Sequence, residues 1–469
     1  MSTFPSLSIR RDGLTPRGSF AESQAMYLDP DPAAVAELEQ LCRAKNIGVV
    51  AHFYMDVELQ GVLAACDWPH IQISDSLAMA DRAVKMVEAG VRTIAVLGVD
   101  FMSENVRAVL DAAGHTEVEV FRVAADPIGC SLAQAAEREA YAAWLTEATE
   151  TDNALHVIYI NTSLITKARS QHVIPTITCT SSNVLQTVLQ AAAQVPDVSI
   201  FYGPDTYMGA NLHSMLTQFS QLSDAAIEEI HPAHSQESIR GLLDRFHYFR
   251  QGVCVVHHMF GDDVARRVRA DYADSFHTAH LEVPGEMFEL AVEAQRSGRG
   301  VVGSTSNILN FILRQVEDTT DGKLSFVLGT EAGMITSIVK GVRAALERLE
   351  RDLEVEIVFP VASEAVAEAP ESGLGIIPGI LGGEGCATAG GCATCPFMKM
   401  NDLDALIGVM TAVGTDSHAS LAAYKPKLYS EAVGGRTAAE VGCVPILHMR
   451  DFQRNGSLSS ELVDDIQSR

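Results

Sequence analysis

A cysteine pair near residue 395 has the spacing of a metal-ligating or redox element. Cys392 and Cys395 form a C-x2-C-P motif, and Cys386 lies six residues before Cys392. Such pairs occur in redox dithiols, zinc sites and iron–sulfur clusters. A zinc ribbon needs a second pair, and a thioredoxin-like pair normally opens a helix after an early strand. A metal or cluster ligand is therefore favoured, and a regulatory disulfide between Cys386 and Cys392 stays open.

Two further cysteines lie at predicted junctions between secondary-structure elements. Cys130 follows a Pro-Ile-Gly turn that opens a helix, and Cys254 lies on a predicted strand at residues 253–256, just before His257. A buried structural thiol would explain either residue equally well. The total of nine cysteines is odd, which argues against a disulfide framework and for a reducing cytosol.

The charge balance argues against nucleic acid and membrane partners. The chain has 60 acidic and 34 basic residues, a net charge of −26, which repels polyanions and anionic lipids. No segment reaches the roughly 18 consecutive apolar residues of a membrane span. Residues 1–20 lack the apolar region of a secretory signal, so we predict a mobile N-terminal arm and a cytoplasmic protein.

A recurring pattern predicts an α/β fold. Short runs rich in Val and Ile end in Gly, His, Asn or Ser, and a segment with helical periodicity follows. Continuous apolar runs are typical of parallel strands buried on both faces, and ligands bind at the carboxyl ends of such strands. Residues 361–391 are rich in Pro, Gly and Ala and predict a flexible loop. The runs begin at Ile47, Thr93, His156, Ser199, Val253, Gly300 and Ser325, and helical segments span 76–89, 183–193, 336–349 and 402–410.

Ordered signatures across residues 45–410 resemble those of quinolinate synthase. Eleven of them occur in the family's order, which is far more specific than any one motif. They are His52-Phe53-Tyr54, Ser74-Asp75-Ser76, Gly98-Val99-Asp100-Phe101-Met102-Ser103-Glu104, Gly129-Cys130-Ser131, Tyr159-Ile160-Asn161-Thr162, Thr180-Ser181-Ser182-Asn183, Gly203-Pro204-Asp205, Cys254-Val255-Val256-His257, His280-Leu281-Glu282, Gly303-Ser304-Thr305-Ser306 and Cys395-Pro396-Phe397-Met398-Lys399-Met400-Asn401.

This resemblance implies three analogous α/β units with the active site at their common interface. Each unit would contain a parallel sheet flanked by helices and would supply one ligand of a [4Fe–4S] cluster. The implied ligands are Cys130, Cys254 and Cys395. The implied segments are an N-terminal arm and first helix (1–44), a first unit with Cys130 (45–135), a second with Cys254 (136–256), a third with Cys395 (257–400), and a C-terminal helix and extension (401–469).

The implied activity builds the NAD precursor quinolinate. In the family's reaction, iminoaspartate condenses with dihydroxyacetone phosphate, and phosphate and two waters are released. Three cysteines leave one iron free to act as a Lewis acid. An L-aspartate oxidase is the implied functional partner. For proton transfer we expect His52, Tyr54 and Glu282. The residues implied to line the substrate pocket are His52, Ser76, Tyr159, Asn161, Ser181, His257, His280, Glu282, Ser304 and Thr305.

The sequence departs from the family at two motifs, and two other functions stay open. Leu281 replaces the proline of the family's His-Pro-Glu motif, and Cys386 is further from Cys392 than in a C-x2-C-x2-C run. One alternative is another [4Fe–4S] hydro-lyase, in which Cys392 would hold the cluster with Cys395. The other is a non-enzymatic redox or zinc protein, which iron and sulfide analysis would separate from both enzymes.

Overall fold

Strands and helices alternate along the chain, as the sequence predicts. The computed structural model describes residues 4–360 and 394–469. The described strands are β1 (Ser6–Ile9), β2 (Leu14–Arg17), β3 (Ile47–His52), β4 (Ile71–Ser74), β5 (Thr93–Leu97), β6 (Glu119–Arg122), β7 (Ala154–Tyr159), β8 (Thr176–Cys179), β9 (Ser199–Gly203), β10 (Phe246–Tyr248), β11 (Phe276–His280), β12 (Gly300–Gly303), β13 (Gly322–Gly329), β14 (Leu353–Val358), β15 (Ala432–Val433) and β16 (Arg436–Thr437).

Helices lie between these strands. The described α-helices are α1 (Ser19–Met26), α2 (Pro32–Lys45), α3 (Val57–Ala65), α4 (Ser76–Glu88), α5 (Asp100–Ala112), α6 (Ser131–Ala136), α7 (Glu139–Ala148), α8 (Leu164–Val173), α9 (Val184–Gln194), α10 (Thr206–Phe219), α11 (Asp224–Ile230), α12 (Gln236–Asp244), α13 (Asp262–Asp271), α14 (Gly285–Gln295), α15 (Thr305–Asp318), α16 (Ile335–Arg348), α17 (Leu403–Ala412), α18 (Ala438–Asn455) and α19 (Ser460–Ser468). Short 3₁₀ helices span His257–Met259, Ala332–Met334, Met398–Met400 and Asp416–Tyr424. In this described part, no helix combines the length and the apolar character that a membrane crossing requires.

Unit 1, the first of two compact units, contains two sheets. Its described residues are 4–99, 118–128, 255–360 and 394–425. One sheet is parallel, in the order β4-β3-β5-β6. The other has the order β12-β11-β13-β14-β1-β2, in which the first four strands are parallel and β1 pairs antiparallel with β14 and β2. All residues of β3 and β5 are buried, as expected for parallel strands covered on both faces.

Unit 2 contains a four-stranded parallel sheet and the C-terminal helices. It comprises residues 100–117, 129–254 and 426–469, and its sheet has the order β10-β9-β7-β8. The longest helix, α18, packs against α8, α5 and β8. The C-terminal segment is therefore part of the core of this unit, which the sequence alone does not indicate.

The α/β fold class is confirmed, and two local predictions are wrong. Residues 253–256 form no strand, and the Val253 carbonyl accepts a hydrogen bond from the side chain of Ser131 (2.9 Å). The N-terminal arm is ordered at β1 and β2, since Leu7 and Ile9 are fully buried and β1 pairs with β14. The five segment boundaries stay a prediction. The predicted loop at 361–391 lies outside the described residues, together with Cys386 and Cys392.

A buried histidine in unit 2 predicts a pH-dependent stability. His156 on β7 is fully buried, and its Nε2 lies 2.8 Å from the Tyr141 hydroxyl. Burial lowers the pKa of His156 from 6.5 to about 3. Between these values the unfolded chain binds a proton that the native state excludes, so stability falls as the pH decreases through 6.5. We expect the free energy of unfolding to fall by about 2 kcal/mol more in the wild type than in His156→Leu between pH 8 and pH 5. Urea denaturation at both pH values measures this, and equal losses in the two proteins would contradict it.

Candidate active site

Polar side chains of unit 1 meet at the carboxyl ends of adjacent parallel strands. β11 lies between β12 and β13, with His280 opposite Gly303 and Ala279 opposite Gly329. The next residues along β12 and β13 are Ser304 and Thr330, so their side chains emerge at the same edge as His280. In α/β sheets this edge is where ligands bind.

The centre of this edge is a buried carboxyl between two histidines. His257 Nδ1 lies 2.9 Å from Glu282 Oε2, and His280 Nδ1 lies 3.8 Å from Glu282 Oε1. The two imidazole rings are stacked, with centroids 4.7 Å apart and an interplanar angle of 10°. The backbone N–H of Glu282 donates to His280 Nδ1 (3.3 Å), which fixes this ring further. All three side chains are at most 4% exposed, so their interactions are weakly screened by water.

The end of β3 adds a third imidazole to this cluster, and the turn after it adds a phenol. The Tyr54 hydroxyl lies 3.1 Å from Thr305 Oγ1, and His257 Nε2 lies 3.4 Å from Thr330 Oγ1. The rings of His52 and Tyr54 meet edge to face at 4.7 Å, and the Tyr54 N–H donates to His52 Nδ1 (3.2 Å). The structure thus brings five predicted site residues into one cluster, in which Tyr54 is half-buried and the others are buried: His52, Tyr54, His257, His280 and Glu282.

Burial determines the protonation states in this cluster. It lowers the pKa of His52 to about 4 and that of His280 to about 3, and the charge of Glu282 opposes both shifts. Burial also raises the pKa of Tyr54. Near neutral pH the two imidazoles are therefore uncharged and the phenol keeps its proton. Such a set offers hydrogen-bond donors from uncharged imidazoles and a proton from tyrosine.

The predicted serines of unit 1 lie at helix starts. Ser304 is the N-cap of α15, with a capping box in which Ser304 Oγ donates to Asn307 Oδ1 (2.7 Å) and accepts from the Asn307 N–H (3.3 Å). Ser76 is the first residue of α4, whose cap is Asp75. N–H groups at helix starts favour anions, so the start of α15, with its uncharged cap, suits an anionic ligand, whereas Asp75 already accepts from the Leu77 and Ala78 N–H groups of α4.

Unit 2 presents a second set of predicted site residues at the ends of its strands. Tyr159 is the last residue of β7 and is paired with Cys179 at the end of β8. Asn161 follows β7, and Ser181 follows β8 in the turn before α9. The Ile160 N–H donates to the Cys179 carbonyl (2.9 Å), which holds the two strand ends together. Tyr159, Asn161 and Ser181 therefore share one edge of this sheet.

The donor chemistry of the three predicted cluster ligands suits iron. The side chains of Cys130, Cys254 and Cys395 are of intermediate exposure. By contrast, Cys42 and Cys443 are buried, and burial raises the pKa of both thiols to about 12, which disfavours the ligating thiolate.

In unit 2, the segments that carry Cys130 and Cys254 are joined directly. Ser131, the neighbour of Cys130, donates from Oγ to the carbonyl of Val253, the neighbour of Cys254 (2.9 Å). Cys130 itself is in an extended conformation just before α6. Two predicted ligands thus lie on adjoining backbone segments, as a shared cluster requires.

Three residues of unit 1 that the sequence analysis did not select contact the predicted site. Thr330 lies beside His257, the Glu331 carboxyl accepts a hydrogen bond from the Cys395 N–H (3.0 Å), and the Gln60 amide N lies 2.8 Å from the Phe53 carbonyl. Burial raises the pKa of Glu331 to about 8, and the N–H groups of Cys395 and Gly333 oppose this shift. Thr330 and Glu331 directly follow the end of a predicted strand, a position at which ligand-binding residues are expected, so the sequence could have identified them. Gln60 lies inside α3, and its sequence position gives no indication of a functional role.

Comparison with known proteins relates the chain to quinolinate synthases. The family model described as Quinolinate synthetase A protein matches residues 36–359, a range that includes every predicted site residue except Cys395. A chloroplastic quinolinate synthase of Nicotiana tabacum is 53% identical over 484 residues, covering 99% of this chain and 67% of the relative. Those of Oryza sativa subsp. japonica and Arabidopsis thaliana are each 50% identical, covering 99% of this chain and 69% and 67% of the relatives. The chain thus spans about two thirds of the length of these curated relatives.

These relatives correct one prediction. The cytoplasmic location expected from the sequence is wrong, since the matched quinolinate synthases are chloroplastic. The expectation rested on the composition of residues 1–20 and on the odd cysteine count. A reducing compartment is not unique to the cytosol, so neither feature could separate the two locations.

Proposed function

This chain belongs to the quinolinate synthetase A family of enzymes, and we propose that it condenses iminoaspartate with dihydroxyacetone phosphate to form quinolinate, releasing phosphate and two waters. The observation that carries the proposal is the largely buried cluster of His52, Tyr54, His257, His280 and Glu282 near the ends of parallel strands. Such a condensation needs several proton transfers in a site that excludes water. This cluster offers an uncharged base, a protonated phenol and a carboxyl within one network.

The proton-transfer roles follow from the environments of these groups. The Tyr54 phenol, protonated because burial raises its pKa, is suited to donate to an oxygen that departs as water. The Glu282 carboxyl lies within hydrogen-bond distance of His257 Nδ1 and 3.8 Å from His280 Nδ1, and it is the group suited to accept a proton from substrate carbon or nitrogen. His52 and His280 are uncharged near neutral pH, so they bind anions through N–H donation without an ionic contact.

We propose that Cys130, Cys254 and Cys395 hold a [4Fe–4S] cluster. When bound, such a cluster with three protein ligands supplies one Lewis-acidic iron. The Ser131–Val253 hydrogen bond, which joins the segments that carry Cys130 and Cys254, supports the assignment. Both substrates are anions, and the chain has a net charge of −26. Local N–H and hydroxyl donors at the strand ends, including Asn161 and Ser181, would therefore hold carboxylate and phosphate groups.

The cellular setting follows from the relatives and from the substrate. The matched enzymes are chloroplastic, and we propose a plastid location for this protein also. Iminoaspartate hydrolyses in water, so an L-aspartate oxidase in the same compartment is the proposed supplier. The product would enter NAD biosynthesis.

Cluster analysis of cysteine variants tests the proposal. We expect anaerobically reconstituted wild type to contain the iron and sulfide of one [4Fe–4S] cluster, and Cys130→Ser, Cys254→Ser and Cys395→Ser each to lose it. Cys66→Ser is the matched control, because Cys66 has intermediate exposure and burial raises the pKa of its thiol to about 11. Iron, sulfide and quinolinate formation are measured on the same samples.

Three outcomes would contradict the proposal. A wild type that binds zinc or no metal would favour the redox or zinc protein. A cluster that is lost in Cys392→Ser would favour the hydro-lyase arrangement, in which a close cysteine pair holds the iron, and a cluster that survives Cys395→Ser would contradict both arrangements.

A further inference from the structure

We propose that Glu331 is a positioning residue that holds Cys395 in the orientation needed to ligate the cluster. This inference rests on the proposed function, because it takes Cys395 as a ligand. Metal ligands are commonly oriented by hydrogen bonds from outer-shell groups, which affect metal affinity strongly. A ligating cysteine is deprotonated and its sulfur cannot donate a hydrogen bond, so a carboxyl can orient it only through its backbone N–H.

Glu331 makes two hydrogen bonds, one with each carboxyl oxygen. Its Oε1 accepts from the Cys395 N–H (3.0 Å) and its Oε2 accepts from the Gly333 N–H (2.7 Å). The residue is 1% exposed, so water does not compete for either bond. Glu331 lies just after β13, a strand at the centre of its sheet, whereas Cys395 lies just before the 3₁₀ helix Met398–Met400. A fixed element thus holds the irregular segment that carries the thiol.

The same network continues to the turn that carries Tyr54. The amide N of Gln60 lies 2.8 Å, 2.9 Å and 2.9 Å from the carbonyl oxygens of Phe53, Met55 and Gly333. Phe53 and Met55 flank Tyr54, and Gly333 also donates to Glu331. A continuous set of buried hydrogen bonds therefore connects the Cys395 backbone to the backbone on both sides of the predicted proton donor.

The geometry requires both a carboxyl at 331 and a glycine at 333. A glutamine at 331 would offer one acceptor oxygen to two N–H groups, and its NH₂ would face a donor. A Cβ on Gly333 would lie 2.6 Å from Glu331 Oε2 and 3.0 Å from the Phe53 carbonyl oxygen. Gly333→Ala would thus displace the carboxyl without changing its charge.

Iron release from the holoenzyme tests this role. We expect Glu331→Gln to assemble the cluster but to release iron to bipyridyl about 10- to 100-fold faster than the wild type, with Gly333→Ala shifted in the same direction. Glu356→Gln is the matched control, because Glu356 is also a buried carboxyl of unit 1 and accepts a hydrogen bond from Ser6 Oγ (2.8 Å). We expect Glu356→Gln to lose as much thermal stability as Glu331→Gln but to release iron at the wild-type rate. That difference would show that Glu331 positions Cys395 and does not act through general destabilisation.

The possible results distinguish failure of this inference from failure of the proposed function. Iron release from Glu331→Gln at the wild-type rate would overturn the inference while leaving the proposed function intact. If Glu331→Gln does not fold, Gly333→Ala carries the test, and failure of both to fold would assign Glu331 a structural role and reject positioning. A wild type without a cluster, or a cluster retained in Cys395→Ser, would instead reject the proposed function itself.

Discussion

Glu282→Gln is expected to lower the rate of quinolinate formation by about 10²- to 10⁴-fold while leaving the iron content unchanged. The substitution keeps the volume of the side chain and one acceptor oxygen, so the contact with His257 at 2.9 Å can survive. It removes the ability to take up a proton. It also removes the charge that raises the pKa of His52 and of His280, so both imidazoles become still weaker bases.

The kinetic pattern separates chemistry from binding. A loss confined to kcat would indicate a group that acts in proton transfer, whereas a rise in KM alone would indicate uniform binding of substrate. Glu289→Gln is the control, because Glu289 lies exposed on α14, the helix that follows the Glu282 turn. Full activity in Glu282→Gln would reject the catalytic role, and loss of iron would show that Glu282 supports the cluster instead.

The sheets of this protein were predictable because their strands are buried on both faces. The apolar runs that begin at Ile47 and Thr93 are continuous, and they form the strands β3 and β5. β14 was missed because Glu354 and Glu356 alternate with apolar residues, and its partner β1 is about 350 residues away. A pairing at that separation leaves no local sequence signal.

The site was predictable only in part for a related reason. His280 and Glu282 were identified through the ordered family motifs. Each lies at or just after a strand end, where polar residues of a parallel sheet commonly bind ligands. Glu331 also follows a strand, but its role depends on Cys395, 64 residues further along the chain. Gln60 is surrounded by apolar residues of α3 and becomes informative only when its three carbonyl partners are known.

Lys167→Met is expected to lower the free energy of unfolding by about 2–4 kcal/mol. Lys167 on α8 is fully buried, and its Nζ donates to the carbonyl oxygens of Ile160 (3.1 Å) and Thr162. Each buried carbonyl that loses its donor costs about 1–3 kcal/mol. These carbonyls flank Asn161, a predicted substrate-binding residue, so the variant should also raise KM for substrate. Urea denaturation and steady-state kinetics measure the two effects.

Arg169→Met is the control for this variant, since Arg169 lies exposed on the same helix and its replacement should change stability by at most about 0.5 kcal/mol. A change that small in Lys167→Met would contradict the prediction.

A double variant of Lys167 and the buried Glu104 extends this experiment. Burial lowers the pKa of Lys167 to about 7, and the charge of Glu104 opposes this shift. Glu104 Oε2 accepts from the Leu164 N–H and Oε1 accepts from the Tyr429 hydroxyl, both at 2.9 Å. If the two buried charges stabilise each other, Lys167→Met combined with Glu104→Gln should lose less stability than the sum of the single variants. Strict additivity would mean that Lys167 acts through its carbonyl contacts alone.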